Sequence, residues 1–296
     1  MLEILINAVT LGSLYLLFAL GMSVAWGTIG ILNFAHGSTF MFSAMVAYFV
    51  VQTVALPMWA MVLLGAAVGT VLSVLTQALV FNLILRRNPD LLKAEMQIVV
   101  GGIGTASVLL AIAQHYTKSV PFGFSASTFK VATYQLGPVH ISNVQLVILV
   151  AALGLAGLAA WWLKSARAGL ALRAIGVNPE VASLMGVDRS RMALGTMAAA
   201  GALAGIAGVL LTYYLGSIAA ETGDSFLISA FAAIILGGIG SVAGVVTGSM
   251  ILALAETLVV TQLSGTWASA VAFGLIFVVL LFLPRGIFGR KEVRRT

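Results

Sequence analysis

Cysteine is absent from this 296-residue chain, and charge is scarce, with 15 Lys and Arg and 9 Asp and Glu making up only 8%. Without thiols there can be no disulfide framework, thiolate metal site, iron–sulfur cluster or cysteine nucleophile. Three histidines, His36, His115 and His140, lie far apart and no H-E-x-x-H occurs, which argues against a zinc protease. No lysine follows a glycine, so the phosphate-cradling G-x-x-x-x-G-K-[ST] loop is missing. No catalytic set assembles; neither an enzyme nor a cofactor is expected.

What is present is apolar mass. Hydrophobic residues make up 61% and mean hydropathy is +1.11, where a soluble domain has about 45–50% apolar and about 25% charged residues. So few charges could not cover a soluble surface of this size. Lipid is the main solvent, and the chain reads as an all-α membrane protein with one transmembrane domain over 1–296. The excess of six positive charges could suggest nucleic acid, but its distribution fits membrane orientation better, and no nucleic-acid partner is expected. Met1-Leu2-Glu3 lacks a basic n-region, so the first apolar run is expected to stay in the mature protein.

A helix needs about 20 apolar residues to cross hydrocarbon, because lipid offers its backbone no partners. Candidate spans run from about 4 to 26, 38 to 56, 58 to 85, 96 to 114, 144 to 163, 192 to 215 and 266 to 283. The run 226–263 is too long for one crossing, and Gly237-Gly238-Ile239-Gly240 marks a break within it. The polar segment 115–143 has room for a short hairpin.

Thirteen of the fifteen basic residues fall in the Arg86 loop, the 164–192 loop and the tail from Arg285; only Lys118 and Lys130 fall elsewhere. The positive-inside rule makes those three regions cytoplasmic and 115–143 periplasmic. From the acidic turn at Glu221 and Asp224 to an inside tail the chain must cross an odd number of times. Three crossings work if the segment before Gly237 is short or re-entrant. The expectation is a polytopic bundle of eight to nine segments with broken or re-entrant helices, N-terminus periplasmic and C-terminus cytoplasmic.

Glycine is frequent, at 32 residues, and recurs at four-residue spacing in Gly65/Gly69, Gly201/Gly205 and Gly240/Gly244/Gly248. Small residues so spaced line one helix face and let backbones approach closely, which replaces the missing hydrophobic drive between helices in lipid. These glycines are read as packing and not as substrate contacts. Glu256 is the one carboxylate well inside an apolar run. Such residues often mark ion routes, or they bond a neighbouring helix.

Two segments stand out. In Leu32-Asn33-Phe34-Ala35-His36-Gly37, polar residues beside glycines at membrane depth suggest a broken helix. Asn33 and His36 then either line a pathway or cap helix ends. The second runs from Arg173 to Val187. Asn178 suits an N-cap, Pro179 the N1 position and Glu180 the positive helix end, while Gly186 is a natural C′ stop. Val181, Leu184 and Met185, at i, i+3 and i+4, form one apolar stripe. This short helix reads as a surface that docks a cytoplasmic partner; otherwise the stripe packs on the protein's own helix ends or the lipid interface.

At these segments the chain resembles the branched-chain amino acid ABC transporter permease family, specifically its smaller permease subunit. The resemblance continues through 201–208 and 230–241 and covers nearly the whole chain. Similar Ala-x-Gly-x-Asn loops occur in sugar permeases of the wider superfamily, so 174–178 alone does not choose a substrate. The resemblance implies a bacterial inner-membrane importer. It would have a second, usually different permease subunit, two cytoplasmic ATPase subunits and a periplasmic solute-binding protein. Under it, Asn178 to Gly186 (Asn178, Pro179, Glu180, Val181, Ala182, Leu184, Met185 and Gly186) form the coupling helix, and Asn33 and His36 line the pathway. Branched-chain or similar small neutral amino acids would move by alternating access powered from outside the chain. Importers of urea, amides and aromatic acids belong to the same family. A stand-alone channel or a secondary carrier for a small neutral solute is the rival from another class.

Overall fold

The computed structural model describes residues 1–30, 32–88, 91–125, 127, 129–136, 139–262, 267–283 and 286–289. Helix α1 (Leu2–Ile29) leads to α2 (His36–Thr53). The third span is continuous from Met58 to Arg87, built of α3 (Met58–Thr76), a π-helical turn (Gln77–Phe81) and α4 (Asn82–Arg87). After α5 (Leu91–Thr117) a β-hairpin pairs β1 (Thr133–Leu136) with β2 (Val139–Ser142), antiparallel, with Thr133 opposite Ser142. Then come α6 (Asn143–Ser165), α7 (Arg167–Val177), α8 (Pro179–Leu184), α9 (Arg189–Leu215), α10 (Thr222–Gly237), α11 (Val242–Gln262) and α12 (Ala268–Phe282).

The chain is an all-α, multi-pass membrane protein. Six helices are long and apolar enough to cross a bilayer, and α10 and the stretch 270–282 of α12 are apolar but shorter. A 16-residue helix rises about 24 Å, less than the hydrocarbon thickness of about 30 Å. Helices α1 and α9 form the bundle centre, while α5 and α6 are mostly uncovered. Helix α7 was not expected from sequence, where 164–192 reads as a loop holding one short helix. Gly169, Leu172 and Ile175, three residues apart, bury its inner side.

The spaced glycines sit where helices touch. A Cβ at Gly205 would lie 1.9 Å from the carbonyl oxygen of Gly65, and one at Gly201 would lie 2.1 Å from that of Gly69, so α3 and α9 meet backbone to backbone. Gly237 meets Gly244 and Gly248 meets Ala233 in the same way, closing α10 and α11 into a tight hairpin.

Helix ends sort to two sides. At one end a buried cluster joins Ala25, Phe81, Ile98, Leu163, Leu172 and Met197, from α1, the π turn, α5, α6, α7 and α9. Gly240 packs on Gly27 there, and the amides of Ile287 and Phe288 donate to the carbonyls of Leu236 and Gly237. At the other end Phe122 and Ile218 exchange backbone hydrogen bonds, Gln114 donates to Glu221, and His140 meets Glu3 at 3.1 Å. The Arg86 and 164–192 loops and the described part of the tail thus share one end, opposite the hairpin and the acidic turn.

Candidate functional site

Helix α8 is specified at both ends. Asn178 Oδ1 accepts the amides of Glu180 and Val181, each at 3.0 Å, with Pro179 at the first helical position. At the other end Gly186 takes φ 86°, its amide donates to the Ser183 carbonyl, and the Val187 amide donates to that of Ala182. These paired bonds are a Schellman closure, which needs a left-handed residue that glycine adopts without a Cβ clash. Ala182 is buried, whereas Val181 is 53%, Leu184 87% and Met185 81% exposed. Leu184 and Met185 of the apolar stripe are therefore left largely uncovered by the described residues. The stripe stands out from the end that carries the basic loops, anchored by α7.

The second site is the break between α1 and α2. Asn33 and His36 are both buried. The Asn33 carboxamide oxygen accepts the Ala35 amide at 2.9 Å, while its Nδ2 is buried with no hydrogen-bond partner among the described residues. His36 opens α2 and donates from Nε2 to the Phe18 carbonyl at 3.0 Å; the accepting carbonyl fixes that nitrogen as the protonated one. Its ring lies 4.5 Å from that of Phe18, which packs edge-on against Phe40. Phe18 precedes the end of α1 by eleven residues, about 16 Å, so α2 begins inside the membrane depth. The two ends of the break rest on other helices: Phe34 against Gly102 of α5, and Gly37 against Gly223 of α10. Sequence singled out Asn33 and His36 at a break but could not give the break's partners, which come from other helices.

Glu256 is buried and fully engaged: Tyr15 donates to its Oε2 at 2.5 Å and Ser229 to its Oε1 at 3.2 Å. The carboxylate thereby ties α1, α10 and α11 together, which is the neighbour-bonding alternative of the two it allowed. Sequence could not pair Tyr15 with a residue 241 positions away.

At the hairpin end a cavity of about 440 Å³ is lined by Phe124, Ser127, Phe129, Thr212 and Tyr213, among others. Among the described residues no group of three or more His, Asp or Glu could hold a metal ion.

Residues 4–280 match the family described as branched-chain amino acid transport system, permease component. The chain is 31% identical to the high-affinity branched-chain amino acid transport system permease protein LivH of Salmonella typhimurium, covering 100% of this chain and 97% of that protein. It is 30% identical to BraD of Pseudomonas aeruginosa, described in the same words, covering 100% and 98%. A more distant likeness, 26% over 68% of the chain, is to a ribose import permease of Haemophilus influenzae.

Proposed function

The chain belongs to the branched-chain amino acid transport permease family, a family of transport components and not of enzymes, and we propose that it is the transmembrane permease subunit of an ATP-driven importer for branched-chain or related small neutral amino acids. Its partners are a second permease subunit, a paralogue of this chain, two cytoplasmic ATPase subunits and a periplasmic solute-binding protein. The permease proteins named above are described as parts of branched-chain amino acid transport systems.

The observation that carries this reading is α8, a doubly capped helix whose apolar residues Leu184 and Met185 are exposed. Its fixed ends hold the knob rigidly, so a groove in an ATPase can push on it without first paying to order it. Together Asn178, Pro179, Glu180, Val181, Ala182, Leu184, Met185 and Gly186 make the coupling element. ATP-driven closure of the ATPases moves paired knobs and switches the bundle between two arrangements, and the binding protein loads the outward one.

In this reading the end with the basic loops is cytoplasmic. The N-terminus is periplasmic, the C-terminus cytoplasmic, and eight to nine segments cross the bacterial inner membrane. Asn33 and His36 lie on the solute route, at the seam where α2 starts inside the membrane. The unpartnered Asn33 amide becomes available when that seam opens. The few charges in the spans leave discrimination among solutes largely to the binding protein.

The test is the double substitution Leu184→Asp with Met185→Asp. Both side chains are exposed, so the permease keeps its fold. Burying each in a groove would contribute about 1.5–3 kcal/mol, so introducing two carboxylates abolishes ATPase co-purification. A double mutant that still captures ATPase at the wild-type level overturns the coupling role. Uphill solute accumulation by this polypeptide reconstituted alone would favour a secondary carrier instead.

A further inference from the structure

The approach to the break carries a constraint that lipid cannot meet. Gly30, which ends α1 with φ 75°, lies near Glu95 of α5, and Phe34 lies against Gly102 of the same helix. Those two contacts lie seven residues apart on α5, about 10 Å, and the described residues Gly30 and 32–35 belong to neither α1 nor α2. Gly30 is exposed. Non-helical backbone at membrane depth is tolerated only where protein buries it or where it borders water.

Beside this stretch stand three aromatic side chains, from α1, the break itself and α10, all only partly buried. Phe231 of α10 meets Phe34 at 5.4 Å between ring centres and Trp26 of α1 at 6.1 Å, edge to face. Phe231 belongs to one open line along α10. Ser225 is exposed, Ile228, Phe231 and Ile235 are partly buried, and Ile239 is exposed, while the residues between them are mostly buried. That line runs from the acidic end of α10, at Asp224, to the glycine turn beside Gly27. The open faces of α6 and α12 are apolar too, with side chains such as Val150, Leu153, Phe273 and Phe277, but the α10 line differs in passing beside the non-helical stretch, where Phe231 meets Phe34.

We propose that the open face of α10 borders the water-filled solute route rather than lipid, and that Phe231, closed on Phe34 and Trp26, is its apolar constriction. The solute class rests on the function proposed above. A neutral amino acid with an aliphatic side chain slides its apolar body over the rings, and the ring size limits which side chains pass. Phe231 is a specificity-determining residue of the permease, distinct from the coupling helix.

The absence of cysteine makes the test clean, because any thiol placed in this chain is the only one in it. Single variants Phe231→Cys and Phe34→Cys, with Phe277→Cys on α12 as control, are assembled with all subunits in proteoliposomes. They are treated with a permanently charged methanethiosulfonate, which reacts with the thiolate form in water, and labelling is read as a mass shift of this chain. Positions 231 and 34 are expected to label at least ~10-fold faster than 277, with modification at 231 blocking uptake. Equal, slow labelling at all three positions overturns the proposal. Should Phe231→Cys fail to assemble, Ile235→Cys on the same face gives the same reading. In Phe231→Ala, uptake of phenylalanine relative to valine should rise several-fold with ATPase activity kept, and an unchanged ratio removes the specificity role. Labelling requires no assumption about the solute, so fast labelling in a complex that moves no amino acid leaves the water-filled face standing and retires the substrate reading alone.

Discussion

Gly205→Ala and Gly157→Ala are the same chemical change in the same membrane, and the structure assigns them opposite signs. At Gly205 the new Cβ would lie 1.9 Å from the carbonyl oxygen of Gly65, where ordinary contact starts near 3.4 Å. The obstacle is backbone, so it cannot swing aside, and α3 and α9 must separate by about 1.5 Å. A gap of 0.5–1 Å already forfeits about a quarter to a half of each pair's attraction. Overpacking of this kind costs about 1–3 kcal/mol, and a rigid neighbour argues for the upper half of that range. At Gly157, on α6, nothing lies within 4 Å. There alanine removes only glycine's unfavourable helix propensity and gains up to about 1 kcal/mol. The two variants should therefore differ by about 2–4 kcal/mol in unfolding free energy. Denaturant unfolding in mild detergent micelles, followed by circular dichroism, measures the difference. Equal midpoints would show that the glycine contacts between α3 and α9 carry none of the packing energy assigned to them.

Two further outcomes follow from the buried carboxylate and the helix cap. Glu256→Ala strands the buried Tyr15 and Ser229 hydroxyls, whereas Glu256→Gln keeps one acceptor and should lose less. A double-mutant cycle of Glu256→Gln with Tyr15→Phe should give a coupling of about 0.6–1.7 kcal/mol, the range of interhelical polar contacts in membranes, and additive losses would dissolve the pair. Asn178→Ala removes the acceptor for two amides at the start of α8 and should cost about 0.5–2 kcal/mol of helix order. A titration of ATPase capture reads this as roughly a 2- to 30-fold loss of affinity, which Asn178→Ser restores; unchanged capture would make the cap irrelevant to docking.

The membrane class, the positions of most apolar helices and the break before α2 were legible because each rests on local composition. Apolar runs must be helical in lipid whatever their neighbours do. The same holds for α8: Asn178, Pro179 and Gly186 act on backbone within a few residues of themselves, so both caps could be read in one dimension. Helix α7 escaped because Leu172 and Ile175 sit among Arg167 and Arg173, and a basic loop hid a short amphipathic turn. Whether the stripe of α8 was covered or free was also beyond sequence, since that depends on which helix ends lie beside it.

Local chemistry was enough to say that this chain lives in lipid, where it breaks, and that it carries a rigid knob without a phosphate-binding loop of its own. The partners of each break and each buried polar group came from packing. Glu256 lies 241 residues from Tyr15, and Phe231 of α10 meets Phe34 in the break between α1 and α2. Such pairings arise because helices that cannot use the hydrophobic effect against one another choose neighbours by backbone fit, at Gly65 with Gly205 and at Gly37 with Gly223. Fit of that kind is a property of two surfaces at once, and neither surface announces its mate along the chain.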